Sequence, residues 1–411
     1  MIDFTTLQGL TIPEGVVTQI TDASGRVLWA LSGGKIVLEV EKITATTYAG
    51  ETSYADETFI LLDIYPKTNS TVTVTYGGLT KTITDTSGAE EPNAQQVYFG
   101  TFNGVSDSVT TPESGTLTIM GDCLAFACGS YQNGSKDSSV GYCACIYRVD
   151  SFGMVNDIPE YAFRGKTLKQ TSLEIPSTVK RIGQYAFNVG ASGASESMLS
   201  NVSIANGVER ICGYAFSYCV SLASVNIPAS VKEMGYTAIE VLSSLQVSWN
   251  NPFPHVAASI SLDERNPYFR IDGNCLIEIA TSKVVCGVNN DIDIPSYITG
   301  LMGNCFCGRK LLTHITIPAG VTDIPTGAFE GTGLTSVTIP PNVIDIGIKA
   351  FNTESLTSVT LLPTTPPEVE GSGDNASFHN NTTFIVPKGC GETYKKAVGW
   401  SDYADRIVEA S

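Results

Sequence analysis

The chain is 411 residues long, too much for one ordinary core, so two or three domains or one long repeat stack are expected. Its hydrophobic fraction of 42% is that of a folded protein and excludes a largely disordered chain. Carboxylates outnumber Lys plus Arg by 41 to 24, and the net charge of -17 repels a phosphate backbone or an anionic membrane, which argues against nucleic acid as a partner.

Residues 1–33 read as a leader hairpin or attachment segment. VVTQI (16–20) and RVLWA (26–30) flank the turn-rich DASG. One hairpin cannot bury its own apolar face, so Leu28 and Trp29 need a partner surface. The opening MIDFTTLQGL has acidic Asp3 and no apolar signal core, so synthesis in the cytoplasm without a signal peptide is expected. No run approaches the length of a membrane-spanning helix, and membrane insertion is not expected.

Residues 34–148 change to strands: KIVLEVEKI, TFILLDIYP, STVTVTYGG, LTKTITDT, QQVYFGTF, GTLTIMGD and GYCACIYRV, parted by Gly, Ser, Asn and Pro. Such a run with hairpin turns predicts an antiparallel sandwich of the immunoglobulin-like type. SGAEEPNAQ (87–95) is the clearest loop. The Cys…Trp…Cys framework of antibody domains is missing, so the expectation concerns architecture alone.

From residue 149 onward one phrase returns with small edits. LEIPSTVKRIGQYAF (173–187), VSIANGVERICGYAF (202–216), VNIPASVKEMGYTAI (225–239), ITIPAGVTDIPTGAF (315–329) and VTIPPNVIDIGIKAF (337–351) share it. The strand-ending residue falls at Pro176, Ala205, Pro228, Pro295, Pro318, Pro340 and Pro363, with one wide gap before Pro295. A period of about 23 residues is the mark of a solenoid. In the copy at 334–351, Leu334, Val337 and Ile339 should point inward, and Thr338 outward. Pro340, lacking an N–H, should close the strand. Val343 and Ile346 should cover the next corner, with the following glycine allowing a tight bend. Phe163, Phe187, Phe216, Phe329 and Phe351 should stack into an aromatic spine.

LTSVTIPPNVIDIGIKAF resembles the BspA-like leucine-rich repeat, roughly L-x-S-V-x-I-P-x-x-V-x-x-I-G-x-x-A-F, at every marked position. The resemblance covers about 149–363. It implies a mainly β fold of short strands and short helical turns. NPYFRIDGNCLIEIATSKVVCGV looks like that family's hairpin variant unit, placed at 263–288. Residues 364–411 are similar to its terminal cap, with a last strand ending at Pro387 and helical segments around Tyr394 and Tyr403. Members are mostly surface or secreted adhesion proteins, and no catalytic residues come with the resemblance. The leader phrase LTIPEGVVTQITDASGRVLWA (10–30) and the strands after it look like the front ends of tail or appendage proteins in phages of gut Firmicutes. That second resemblance would account for the missing signal.

The eleven cysteines sit in apolar phrases such as CLAFAC (123–128), YCACI (142–146) and NCFCG (304–308). Cys143 and Cys145 should face one side of a strand. Buried thiols acting as small hydrophobes are expected, because the spacings fit no common zinc pattern. The three histidines, His255, His314 and His379, belong to no catalytic motif. Asp291 and Asp293 would share a strand face, but two carboxylates fall short of a calcium shell, and an exposed acidic edge explains them better.

What remains is surface. Ser172, Glu174, Asn201 and Ser203, then Ser224, Asn226, His314, Thr316, Ser336, Thr338, Ser358 and Thr360, occupy outward strand positions. Stacked about 4.8 Å apart, they would form a ladder of hydroxyls and amides able to hydrogen-bond a glycan or protein loop. The plainer alternative is that Ser and Thr suit exposed strand positions. The loops 188–198 and 370–381 are further contact candidates.

The sequence therefore points to a non-enzymatic recognition protein without catalytic residues, metal or cofactor. Its expected setting is a phage or prophage tail. There the solenoid binds a host-surface glycan or protein, the N-terminal region meets other tail proteins, and a homotrimer is the candidate assembly. The alternative is a bacterial surface or secreted adhesin of the same family, and a polysaccharide-degrading enzyme is the outsider.

Overall fold

A computed structural model of the chain describes residues 19–21, 27–30, 35–41, 43–44, 58–85, 94–102, 105–107, 112, 114–128, 146–164, 168–189, 198–241, 244–256, 258–289 and 291–411. Cys143, Cys145, the turn DASG, most of the loop at 87–95 and most of that at 188–198 lie outside the described residues. Within the leader, Gln19–Thr21 pairs antiparallel with Val27–Ala30. The fold is mainly β, with a repeat structure from residue 157 onward.

Alternation decides the N-terminal sheets. In Thr71–Tyr76, Val72, Val74 and Tyr76 are buried. The threonines between them face out, where Thr71 meets Thr84 and Thr75 meets Thr80 across the hairpin at 3.0 Å. One antiparallel sheet runs Ile146–Phe152, Ile36–Glu41, Ser114–Gly121, Thr71–Tyr76, Leu79–Thr84. The other contains Cys123–Cys128, Thr58–Pro66 and Gln95–Phe102. Their inner faces share one core, in which Tyr76 meets Phe99 edge-on at 5.7 Å.

CLAFAC, singled out for its cysteines, is a strand. One expectation for this region needs correction. The constant-type immunoglobulin order keeps the first two strands in one sheet, whereas here Ile36–Glu41 and Thr58–Pro66 lie in different sheets. Ile146–Phe152 must lead into the first coil of the solenoid, and it leaves from a sheet edge with Ile36–Glu41 as its neighbour.

The repeats coil as their phrase dictates. Ser172–Ile175, Asn201–Ile204, Ser224–Ile227 and Ser259–Leu262 pair parallel and in register. Ser336–Ile339, Ser358–Leu361, Thr383–Val386 and Ile407–Glu409 form a second parallel ladder. At the next corner the two-residue strands Asp157–Ile158, Arg181–Ile182, Arg210–Ile211 and Glu233–Met234 stack in turn, and Asp323–Ile324, Asp345–Ile346 and Glu368–Val369 do likewise. Leu334, Val337, Ile339, Val343 and Ile346 are all buried.

The aromatic spine is present as two runs. Phe163, Phe187, Phe216 and Phe253 stack at 5.1, 5.1 and 5.4 Å. Phe306, Phe329, Phe351 and Phe378 stack at 5.3, 5.0 and 5.6 Å. Phe253, Phe306 and Phe378 extend the five phenylalanines expected. Phe378 moves part of the stretch 370–381 from contact loop to core, with the Ser377 hydroxyl donating to Gly347 O at 2.8 Å.

The wide gap between repeats holds two hairpins. Phe269–Asp272, Cys275–Glu278 and Lys283–Gly287 form the one legible in sequence. The other, Tyr236–Val241 with Ser244–Trp249, takes the end of the copy VNIPASVKEMGYTAI, where the Ala-Phe turn was expected. Phe253 supplies that coil's column position instead.

The glycine after the corner isoleucine needs a different reason from a bend. Gly347 has no positive φ, yet a Cβ there would sit 2.6 Å from the backbone N of Thr326 in the preceding coil. Close approach between coils, not turning, demands glycine. The positive φ falls instead three residues after the corner isoleucine, at Tyr161, Tyr185, Tyr214 and Lys349, just before Ala-Phe.

Both ends of the stack are closed. Phe126 and Phe152 of the N-terminal sheets meet Phe163 edge-on at 5.8 and 6.3 Å. At the far end Trp400 and Tyr403 pack on Phe378 and Phe384. Trp400 Nε1 and Tyr394 Oη donate to Pro367 O and Pro363 O, each at 2.7 Å, so both buried aromatics keep their polar atoms satisfied.

Candidate functional site

The outward residues of the first ladder do not face open solvent alone. Strand Ile146–Phe152 overhangs its first two rungs, leaving a groove of about 630 Å³. Its walls include Asp150, Ser151, Gln170, Glu174, Asn201 and Ser203. Alternation puts Ser172 and Glu174, then Asn201 and Ser203, on the exposed face while Leu173, Ile175, Val202 and Ile204 enter the core.

Gln170 joins the two walls. Its Oε1 accepts the Val149 N–H at 2.7 Å, and its Nε2 donates to Ser172 O at 2.7 Å. Arg148 holds the Asp150 carboxylate with two hydrogen bonds, at 2.7 and 3.0 Å. The groove thus offers carboxylates, hydroxyls and an amide in a concave, largely uncharged-to-acidic setting. That chemistry can hydrogen-bond a polyhydroxylated ligand and disfavours an anionic one.

Of the twelve outward residues singled out from sequence, the eight from Ser224 onward separate into three places. Ser224 and Asn226 are exposed in the first ladder, and the Ser261 hydroxyl donates to Asn226 Oδ1 at 3.0 Å. Ser336, Thr338, Ser358 and Thr360 lie on the outer side of the second ladder. His314 and Thr316 are exposed on a segment that belongs to neither ladder, with His314 Nδ1 2.9 Å from the Thr313 hydroxyl. One continuous ladder is therefore corrected to two: the first ends at Ser259–Leu262, the hairpin strands Phe269–Asp272, Cys275–Glu278 and Lys283–Gly287 follow, and the second begins at Ser336–Ile339. Asp291 and Asp293 are exposed and outside any strand.

Sequence reading missed a meeting of three donor types. His255, Cys307 and Glu330 come from successive coils, and their ligand-bearing atoms lie within 4.8 Å of one another. Burial, with Lys310 and Lys349 nearby, lowers His255 to about 4, and burial raises both Cys307 and Glu330. Their sequence separations resemble no local motif, so only stacking reveals them.

A family model described as BspA type Leucine rich repeat region matches residues 156–250 and 285–389, in six copies. Those two stretches are thus similar to BspA-type leucine-rich repeats. No curated protein matches the sequence. Among solved structures, the pneumococcal vaccine antigen PcpA is similar at 15% identity over 62% of this chain and 75% of that one, with a TM-score of 0.41. A leucine-rich repeat protein from Eubacterium ventriosum is similar at 20% identity, covering 57% of this chain and 65% of that one, with a TM-score of 0.40. A leucine-rich repeat protein from Bacteroides ovatus reaches 17% identity, covering 70% and 71%, with a TM-score of 0.33. No helix among the described residues is long and apolar enough to cross a membrane.

Proposed function

We propose that this chain is a surface recognition protein whose leucine-rich-repeat solenoid binds a neutral glycan in the groove between strand Ile146–Phe152 and the first rungs of the ladder. The observation that carries this reading is the groove itself: about 630 Å³, walled by hydroxyls, carboxylates and the Asn201 amide. BspA-type repeats are typical of surface adhesion and recognition proteins, which supports the class. The N-terminal sheets serve as mount and as one wall of the site. A phage-tail setting, with a homotrimer and tail partners at the N-terminus, draws on the leader phrase 10–30, much of which lies outside the described residues. Glycan recognition by the solenoid does not require it.

An array of neutral and acidic glycans and host-surface proteins, probed with the full chain, tests the proposal. Neutral glycans should score above acidic ones. Asn201→Arg and Ser203→Arg, both exposed, should abolish the signal while leaving the circular dichroism spectrum unchanged. Retention of glycan binding in both variants, with loss in Ser358→Arg, would move the site to the second ladder. Slow cleavage of a captured glycan would instead favour the enzymatic reading.

A further inference from the structure

The solenoid contains a place where its two halves meet. Phe253 ends one aromatic run and Phe306 begins the next, and the residues around them belong to separate core clusters. Backbone bonds cross this join, from Asn251 N–H to Gly303 O at 2.8 Å and from His255 N–H to Cys307 O at 3.1 Å. Cys307 and Glu330 directly follow Phe306 and Phe329, and His255 stands two residues after Phe253, so the same turn of three adjacent coils delivers one imidazole, one thiol and one carboxyl to the same spot.

We infer that His255, Cys307 and Glu330 form a zinc-type divalent metal site that clamps the two halves of the solenoid. Cys307 Sγ lies 3.2 Å from His255 Nε2 and 3.9 Å from Glu330 Oε2, and all three donors fall within 4.8 Å. A tetrahedral zinc ion with bonds of about 2.0–2.3 Å holds its donors roughly 3.3–3.8 Å apart, so small side-chain adjustments close the shell. Three protein ligands leave the fourth position to water. Half-buried His255 and Glu330 give that position a path to solvent, while Cys307 sits behind them.

The surroundings complete the case. Tyr218 stacks on the imidazole at 4.0 Å and 11°, fixing the ring's orientation. Lys349 approaches the second carboxylate oxygen of Glu330 at 3.7 Å, an outer partner of the kind that holds a ligating carboxylate in place. Binding replaces the thiol proton, which leaves to solvent, with a metal–sulfur bond. The ion's two charges are then balanced by thiolate and carboxylate, and no net charge is buried. The sulfur and nitrogen donors select zinc or cobalt over calcium or magnesium, which take oxygen shells. This site is separate from the glycan groove, and neither depends on the other.

The test is a titration of the full chain, stripped by chelator, with cobalt(II) as probe. One equivalent should bring a thiolate-to-cobalt charge-transfer band in the near ultraviolet and tetrahedral bands in the visible, both erased by one equivalent of zinc. Zinc should also raise the melting midpoint. Cys307→Ser should remove the charge-transfer band, whereas Cys390→Ser, at a half-buried cysteine elsewhere, should not. Should Cys307→Ser fail to fold, Glu330→Gln at the half-exposed edge serves in its place and should weaken zinc at least tenfold. No band at one equivalent, or the same affinity in Glu330→Gln as in the parent, overturns the assignment. The trio would then be a thiol hydrogen-bonded between imidazole and carboxylate.

Discussion

Phe126, in the second N-terminal sheet, meets Phe163, the first ring of the solenoid column, edge-on at 5.8 Å. Sheets and solenoid therefore share one core rather than hanging on a linker, and a single cluster runs from Ile36 to Met302. An open solenoid end would expose the column, and here the sheets cover it. Phe126→Ala should cost about 3–5 kcal/mol, because neither side can collapse into the cavity. Calorimetry should show one unfolding transition in the parent and two in the variant. A single transition in both would mean the contact is incidental.

Gly347 carries the second prediction. Its missing Cβ admits the backbone of Pro325 and Thr326 at contact distance. Gly347→Ala must push two coils apart and should destabilise the chain by about 2–3 kcal/mol, the scale of forced overpacking. Gly389→Ala, where nothing lies within 4 Å, should cost much less, from its positive φ alone. Denaturant midpoints for the pair separate crowding from backbone strain.

The tyrosines before Ala-Phe present a balance of two effects. Tyr185 holds φ at +54°, which for a bulky residue costs about 1–2 kcal/mol. Its ring stacks between Tyr161 at 5.2 Å and Tyr214 at 4.7 Å, which offsets the strain. Tyr185→Asn loses the stacking but suits the left-handed conformation, while Tyr185→Val loses both. Valine should therefore be the worse by about 1–2 kcal/mol in urea unfolding. Equal midpoints would show that strain is not stored there.

Asp345 provides a pH test. Burial first, then the carboxylates of Glu370, Asp323 and Glu368, raise its pKa above the usual aspartate range. A raised carboxyl contributes stability below the unfolded pKa, near 3.9, and loses it as pH climbs through the folded value. At pH 7 the charged group is a burden on the fold. Asp345→Asn should raise the melting midpoint at pH 7, by the equivalent of about 0.5 kcal/mol for a part-exposed like-charge contact, and by nothing near pH 3. A lower midpoint for the variant at pH 7 would contradict this reading.

How far the sequence alone reached depended on the range of the interaction. The phrase VTIPPNVIDIGIKAF names its own core positions, because strand alternation and a corner every few residues are local rules; Val337, Ile339, Val343, Ile346 and Phe351 are all buried. TVTVTY declares its buried face in the same way. The copy at 225–239 misled because Tyr236–Val241 pairs with Ser244–Trp249, a partner its own phrase does not contain, and Phe253 fills the column from a phrase with no Ala-Phe. Gly347 showed as a glycine, but its reason lay in the neighbouring coil.

Local spacing determined that successive segments coil, which side chains face inward and which face water. Tertiary structure alone decided that the ladder is two ladders, that strand Ile146–Phe152 walls a groove over Asn201 and Ser203, and that His255, Cys307 and Glu330 meet. The physical reason is that hydrophobic periodicity acts along the chain, whereas a site is made between coils. Which coil neighbours which is set only when inserted hairpins, sheet edges and the stacked rings are packed together.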